Sequence, residues 1–338
     1  MVATLKDIAR AAGVSVTTVS LVLRENPHPM ISLKTRERVL EVAKELKYRH
    51  NLHARALRMG KTQLIGLLMF DLDTRIALLK LEAIDAAVTA RGYRSLIRNA
   101  AGHADMEPQF IREYAGGAVE GLIIVQPTGE LSAKSLEPLL SSDVPIVTLE
   151  PIEGSSLDCV TVDREHGAYV AVKHLLNLGH RRIGMLHAEQ SDLHFAPRLE
   201  GYRKALSEYG IEIDESLLVE TRVSYHGGCE AARELIERKT GATALFCDND
   251  EVAIGAMKAV RGAGLRIPDD MALIGFDNIE AGAFAPVPLT TVAQPVDDVA
   301  ALAVEMLFAR MDGSAKDRPA ILTRLKPHLV VRESCGGS

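Results

Sequence analysis

The sequence predicts a two-part protein, a small all-α helix-turn-helix head followed by an α/β body of two doubly wound parallel sheets. Three observations lead there. Residues 1–62 hold twelve Lys and Arg against five Asp and Glu, a net +7 in a chain whose total is −6, so the remainder carries −13. Inside that basic stretch, two short amphipathic segments meet at Gly13. From Gln63 onward, apolar runs of strand length alternate with helical segments, the pattern of parallel strands covered on both faces.

The head reads as helices from its first residues. Thr4 is placed to cap the first helix, with Asp7 three positions on to complete a capping box. Leu5, Ile8, Ala9 and Ala12 then fall at helical spacing. Gly13 closes the turn, where a residue free to adopt positive φ is wanted. Ser15 caps the second helix, which is expected to bury Val19, Val22 and Leu23. Its opposite face offers Val16, Thr17, Ser20, Leu21 and Arg24, groups small or polar enough for a major groove. Paired helices with a central Gly are common for purely structural reasons, but the charge on this pair argues for a nucleic-acid reader. A third helix is expected over 34–47, with Val39, Leu40, Ala43 and Leu46 on one face. Residues 49–62 are basic and stop short at Gly60, so they read as a linker able to form a turn or two.

Composition excludes several classes. An apolar fraction of 47% and a charged fraction of 25% are those of a globular protein, and 338 residues favour two or three units. No apolar run approaches the roughly 18 residues of a membrane span. The chain begins in a capped amphipathic helix rather than an apolar signal segment, so a cytoplasmic protein is expected. Cys159, Cys229, Cys247 and Cys335 lie far apart without metal spacing and read as reduced core thiols; no metal or cofactor is expected.

In the body, strands are expected at 64–70, 93–97, 122–126, 146–149 and 160–162, then at 183–187, 218–223, 244–247, 273–276 and 291–293. Helices are expected at 78–91, 167–178, 198–209, 228–237 and 251–262. That is two βα series, each the size of one doubly wound lobe. Tail strands at 322–326 and 329–331 imply that the chain crosses between lobes more than once. Ligands of such sheets bind outside the carboxyl ends of the strands, here in the cleft between lobes. Asp71, Asp73, Glu150, Asn249, Asp250, Asp277 and Asn278 follow expected strands, and Arg198 opens a helix. Carboxylates and amides facing one Arg suit a hydrogen-bonding polar ligand. Each acid could equally cap the next helix; Asp250 is read as a cap, Asp277 and Arg198 as ligand contacts.

Catalytic constellations are missing from the sequence. Gly116-Gly117, Gly227-Gly228 and Gly262-Ala263-Gly264 form neither GxGxxG after a strand nor a phosphate loop. His50, His53, His174, His180 and His187 lack metalloprotease spacing, and no Ser sits in a G-x-S-x-G elbow. No enzyme is expected.

These phrases together resemble the lac-repressor (LacI/GalR) family of bacterial transcription regulators, along nearly the whole chain. The head matches as Thr4-Leu5-x-Asp7-Ile8-Ala9, Ala12-Gly13-Val14-Ser15 and Thr18-Val19-Ser20, the linker as Tyr48-x-x-Asn51-x-x-Ala54-Arg55-x-Leu57. The body matches as His174 through Ile183, Asn249-Asp250-Glu251-Val252-Ala253-Ile254-Gly255, Ile267-Pro268, Gly275-Phe276-Asp277, Leu289-Thr290-Thr291-Val292 and Val330-Val331-Arg332-Glu333-Ser334. The resemblance implies a periplasmic-binding-protein-like body and a homodimer whose two heads read a palindromic operator in double-stranded DNA. It implies a reader over 1–48, a hinge helix over 49–62, and a ligand-binding and dimerisation body over 63–338. The first lobe would take about 63–161 and 293–322, the second about 162–292 and 323–338. Phosphate contacts would come from Thr4, Ser15 and Thr18, and hinge contacts from Asn51, Ala54 and Arg55. Leu57 would act as an apolar wedge in the minor groove, unless it is an ordinary buried Leu. The effector would be a sugar or related polar metabolite in the interlobe cleft, at Asp71, Asp73, Glu150, Arg198, Val223, Asn249 and Asp277. Several family positions differ here. Leu21 stands where many members carry Arg, His50 where Pro is usual, Thr74-Arg75-Ile76-Ala77 where Asn-Pro-Phe-Phe is common, and Val223 where several members stack an aromatic on ligand. A solute-binding protein would share the body but not the +7 head, and a sugar-metabolising enzyme would need a catalytic constellation.

Overall fold

The computed structural model describes residues 3–23, 31–48, 61–69, 74–99, 111–126, 134, 136–189, 195–315 and 317–337. The chain divides into two units, Met1–Thr62 and Gln63–Ser338.

In the first unit, α1 (Leu5–Ala12), α2 (Val16–Val22) and α3 (Leu33–Glu45) enclose a small core. The Thr4 N–H donates to Asp7 Oδ2 at 2.9 Å, closing the capping box, and Gly13 takes φ 66°. The hydroxyl of Ser15 accepts the Thr18 N–H at 3.0 Å and starts α2. Ile8, Ala9 and Ala12 pack on Val19, Val22, Val39 and Ala43. Two expectations need correction. Leu23 is only half-buried, and Leu40 and Leu46 are exposed. With two short helices to cover, α3 needs one narrow stripe, Val39, Val42 and Ala43, and Leu46 already lies beyond its last turn.

The second unit contains two six-stranded sheets. The first comprises β1 (Leu64–Met69), β2 (Arg94–Asn99), β3 (Gly121–Gln126), β4 (Ile146–Thr148), β5 (Asp158–Val162) and β11 (Leu322–Leu325). The second comprises β6 (Ile183–His187), β7 (Leu218–Glu220), β8 (Ala244–Cys247), β9 (Ala272–Asp277), β10 (Thr290–Ala293) and β12 (His328–Val330). Their orders are β11-β5-β4-β3-β1-β2 and β12-β10-β9-β8-β6-β7. Both lobes therefore repeat the same five-strand doubly wound order, with the direction of winding reversing between β1 and β3 and between β6 and β8. Every pairing is parallel except β10 with β12.

Helices cover both faces of each sheet. Arg75–Ala90 and Val296–Met311 pack on one face of the first. Arg164–Asn177 and Phe195–Glu208 cover one face of the second, and Tyr225–Glu237 and Asp250–Gly262 the other. The chain thus changes lobe three times, after β5, after β10 and after β11. β11 stays on the first sheet through Leu325, past the crossing expected near 322, because its partner is β5. The expected strand at 218–223 stops at Glu220, which leaves Val223 in the loop beyond it.

The Gly227-Gly228 pair is a packing device. A Cβ on Gly228 would sit 2.1 Å from the Val252 carbonyl oxygen, and one on Gly255 would sit 2.0 Å from that of Tyr225. Helices Tyr225–Glu237 and Asp250–Gly262 thus meet backbone to backbone, which only Gly permits. Gly255→Ala must push them apart and is expected to cost about 1–3 kcal/mol, the usual range for overpacking. A lowered urea midpoint with unchanged slope would show it, and an unchanged midpoint would mean the helices can slide.

Candidate functional site

In the head, the outer face of α2 is open. Val16 and Thr17 are exposed and Thr18, Ser20 and Leu21 half-exposed, while Val19 and Val22 of the same helix are buried. Thr4 and Ser15, both exposed, stand at the two helix starts, where free N–H groups and the positive end of the helix dipole favour phosphate. The Thr4 hydroxyl and N–H hold the Asp7 carboxyl below the usual range, so the capping box stays charged. Arg24, Asn51, Ala54, Arg55 and Leu57 lie outside the described residues, as do Asp71 and Asp73.

In the body, charged side chains converge from the ends of β4, β8 and β9 and from neighbouring helices. Glu150 follows β4 and is buried, its carboxylate taken up by both Nη atoms of Arg164, one at 2.9 Å, and by the Thr161 hydroxyl at 2.8 Å. From the second lobe, Arg198 is 3% exposed, 3.3 Å from Asp248, with its guanidinium 4.6 Å from the centre of the Phe276 ring. Asp277 ends β9 and accepts Gln294 Nε2 at 2.6 Å. Its φ of 110° and that of Asn278, 58°, are left-handed conformations that a non-Gly residue adopts at a cost. Such strain gathers at ligand clamps. Burial raises the Asp277 pKa to about 6 even though Arg198 and Lys80 pull it down.

Lys80 completes the cluster from the first-lobe helix Arg75–Ala90 and is 5% exposed. Desolvation first, then the charges of Arg164 and Arg198, lower its pKa to about 8 against the opposing pull of Glu150 and Asp277. A cavity of about 320 Å³ opens alongside, between Leu79 and Ala83 of that helix and Asp277, Asn278 and Gln294 of the second lobe.

Asp250 departs from its expected role. The residue that caps helix Asp250–Gly262 is Asn249, whose Oδ1 accepts the Val252 N–H at 2.9 Å. Asp250 is fully buried and instead accepts the Ile279 N–H at 2.8 Å and the Thr291 hydroxyl, tying the loop after β9 to β10. Glu150, Arg198 and Asp277 meet in the cluster; Val223 is half-buried in a loop. Sequence reasoning missed Lys80, Arg164, Asp248 and Gln294. Lys80 had a signal, since it interrupts the buried stripe Ile76, Ile84, Val88 at the position one turn after Ile76. Asp248 directly follows β8, and Gln294 directly follows β10.

Among the described residues, no group of His, Cys, Asp and Glu is placed to hold a metal ion, and no helix is long and apolar enough to cross a membrane.

A helix-turn-helix head on a body of two parallel-sheet lobes is the build of a DNA-binding regulator. The family model of bacterial regulatory proteins of the lacI family matches residues 4–51, and that of the periplasmic binding protein-like domain matches residues 172–335. The chain is 36% identical over 338 residues to the HTH-type transcriptional regulator DegA of Bacillus subtilis (strain 168), covering 99% of this chain and 98% of that one. It is 32% identical to catabolite control protein A of Priestia megaterium over 98% of both. The lac repressor dimer, solved bound to operator and the anti-inducer ONPF, superposes with a TM-score of 0.85 at 27% identity, covering 99% of each chain. The protein belongs to the LacI family of bacterial DNA-binding transcription regulators, and these relatives are regulators rather than enzymes.

The buried ammonium has a thermodynamic signature. Below about pH 8 the folded protein holds Lys80 charged out of water, at a cost the unfolded chain does not bear. Between pH 8 and the unfolded pKa of about 10.4 the folded state sheds the proton first, so native stability gains as pH rises. Lys80→Met is therefore expected to be the more stable protein at pH 7, by up to about 3 kcal/mol, with the difference shrinking above pH 8. Urea midpoints of both proteins at pH 7 and pH 10 check it; a constant difference would contradict it.

Proposed function

We propose that this protein is a cytoplasmic repressor of a catabolic or transport operon. It binds a palindromic operator as a homodimer and is switched by a small polar, sugar-like effector between its lobes. The reader would be 1–48, the hinge 49–62 and the sensor 63–338. The observation that carries the reading is the interlobe cluster. Lys80 and Glu150 from the first lobe and Arg198, Asp248, Asp277 and Gln294 from the second are at least nine-tenths buried beside a cavity of ligand size. A polar molecule held by both sets binds one lobe arrangement better than another, which is the condition for a switch.

On the DNA side, Val16, Thr17, Ser20 and Leu21 are assigned to base edges, with phosphate contacts from Thr4, Ser15 and Thr18. Leu21 has no hydrogen-bonding group, so its readout is apolar, as against a thymine methyl. Leu57 is assigned as the minor-groove wedge. Replacing Thr17 and Leu21 together is expected to change the operator selected from random duplexes, whereas Ser15→Ala should weaken all sequences alike. An unchanged selected site in the double variant would remove Thr17 and Leu21 from the readout.

On the sensor side, Arg198→Ala is expected to abolish the effector's influence on operator binding, while ligand-free dimerisation persists. Operator titrations with and without effector, beside sedimentation of the variant, provide the check. A variant that still responds would place the effector elsewhere.

A further inference from the structure

The cluster has unmet hydrogen-bonding capacity of both kinds, and its unmet donors all sit on cations. Lys80 has three N–H donors and makes no hydrogen bond or ion pair to any described residue. The nearby carboxylates are occupied: Glu150 is filled by Arg164 and Thr161, and Asp277 Oδ1 by Gln294. Arg164 Nε and Arg198 Nε are also buried without a hydrogen-bond partner among the described residues. On the acceptor side, Gln294 Oε1 is buried and without such a partner, and Asp248 Oδ1 accepts no hydrogen bond but lies 3.3 Å from Arg198 Nη1. Buried donors on cations cost most when unanswered, and the group that answers them is an anion with several acceptor oxygens.

We infer that the effector is an acid, a polyol carrying a carboxylate or phosphate, whose acid group is taken by Lys80 and Arg198 and whose hydroxyls meet Gln294 and Asp277. The inference rests on reading the interlobe cleft as the effector site. The adjoining cavity of about 320 Å³, lined by Asp277 and Gln294 and not by Lys80 or Arg198, is near the lower end of ligand pockets, about 300–1,000 Å³, and has room for the polyol part of a sugar-sized molecule. Two more carboxylates line it, Glu82 and Asp297, but both are exposed, and Glu82 pairs with Arg75 at 3.3 Å. Solvent screens them far more than it screens Lys80. Lys80 selects for charge in this scheme, because a neutral sugar leaves the ammonium buried and unanswered.

The test uses the full chain and matched probes: glucose, glucuronate, gluconate and glucose 6-phosphate, with galactose and galacturonate. At least one acid is expected to raise Tm by about 3 °C or more at saturation, its neutral counterpart not. Carboxylate against phosphate is read from which acid acts. By calorimetry, Lys80→Met should weaken that acid about 10- to 100-fold, and Lys80→Arg should recover part of the loss. Stabilisation by a neutral sugar, insensitive to Lys80→Met but lost in Arg198→Ala, would overturn the acid and leave the cleft standing. An acid that binds Lys80→Met and Arg198→Ala like the native protein would overturn both. No stabilisation by any acid of the set would overturn the inference.

Discussion

A charge taken out of water must be answered by another charge or by hydrogen bonds, and between the two lobes some are answered and some are not. Glu150 and Arg164 satisfy each other in a two-pronged pair that also takes in Thr161. Arg198 has Asp248 on one side and the face of Phe276 on another. Lys80 makes no hydrogen bond or ion pair among the described residues and Asp277 is held by the neutral Gln294 amide, and burial drives each toward its neutral form, to about 8 and about 6. Opposite charges shifted toward each other in this way mark a place where burial outweighs mutual attraction. The lobe arrangement that buries them is therefore held at a cost, which a bound molecule can relieve and protein packing alone does not.

The scaffold around that place is rigid where rigidity serves it. Asp250 ties the loop after β9 to β10, so the strained turn at Asp277 and Asn278 is over-determined by its surroundings. Arg332 adds a second hold, donating to Asn278 Oδ1 at 2.7 Å. Backbone contact at Gly228 and Gly255 fixes the two helices behind. Strain of this kind persists only inside such a frame.

Much of this architecture was legible in the sequence. Strand-length apolar runs alternating with helical segments gave both lobes, because parallel strands buried on two faces leave little choice of residue. The capping residues Thr4 and Ser15 and the turn at Gly13 were readable because each satisfies one local geometric need. The cluster was half-legible. Glu150 and Asp277 follow from the rule that ligands meet strand ends, and Arg198 from its place in the first turn of a helix. Lys80 does not, since it lies in mid-helix and acquires its meaning from the lobe packed against it. Asp250 was misread for a similar reason: an Asp at a helix start looks like a cap, and only the fold brings Thr291 and the Ile279 N–H to it. Leu40 and Leu46, expected on one face with Val39 and Ala43, stay exposed because a three-helix head has too little surface to cover them.

What the lobes can transmit is bounded by their connections. The three crossings are short, and Pro295 and Pro327 stand in two of them, each fixing one backbone angle. Short, partly fixed crossings of this kind favour hinge motion over a general loosening. A ligand indifferent to that hinge shifts nothing, however tightly it binds. One that touches Lys80 on one side and Arg198 or Asp277 on the other is not indifferent, because opening the hinge separates those partners. Hydrogen bonds to charged groups contribute about 1.5–3 kcal/mol each. Inverting a 1:99 equilibrium takes about 5.5 kcal/mol. Two such contacts at the top of that range, or three near its middle, reach that threshold if one lobe arrangement alone makes them, and a single neutral contact does not, so charged residues in the cleft are the ones able to turn binding into a switch.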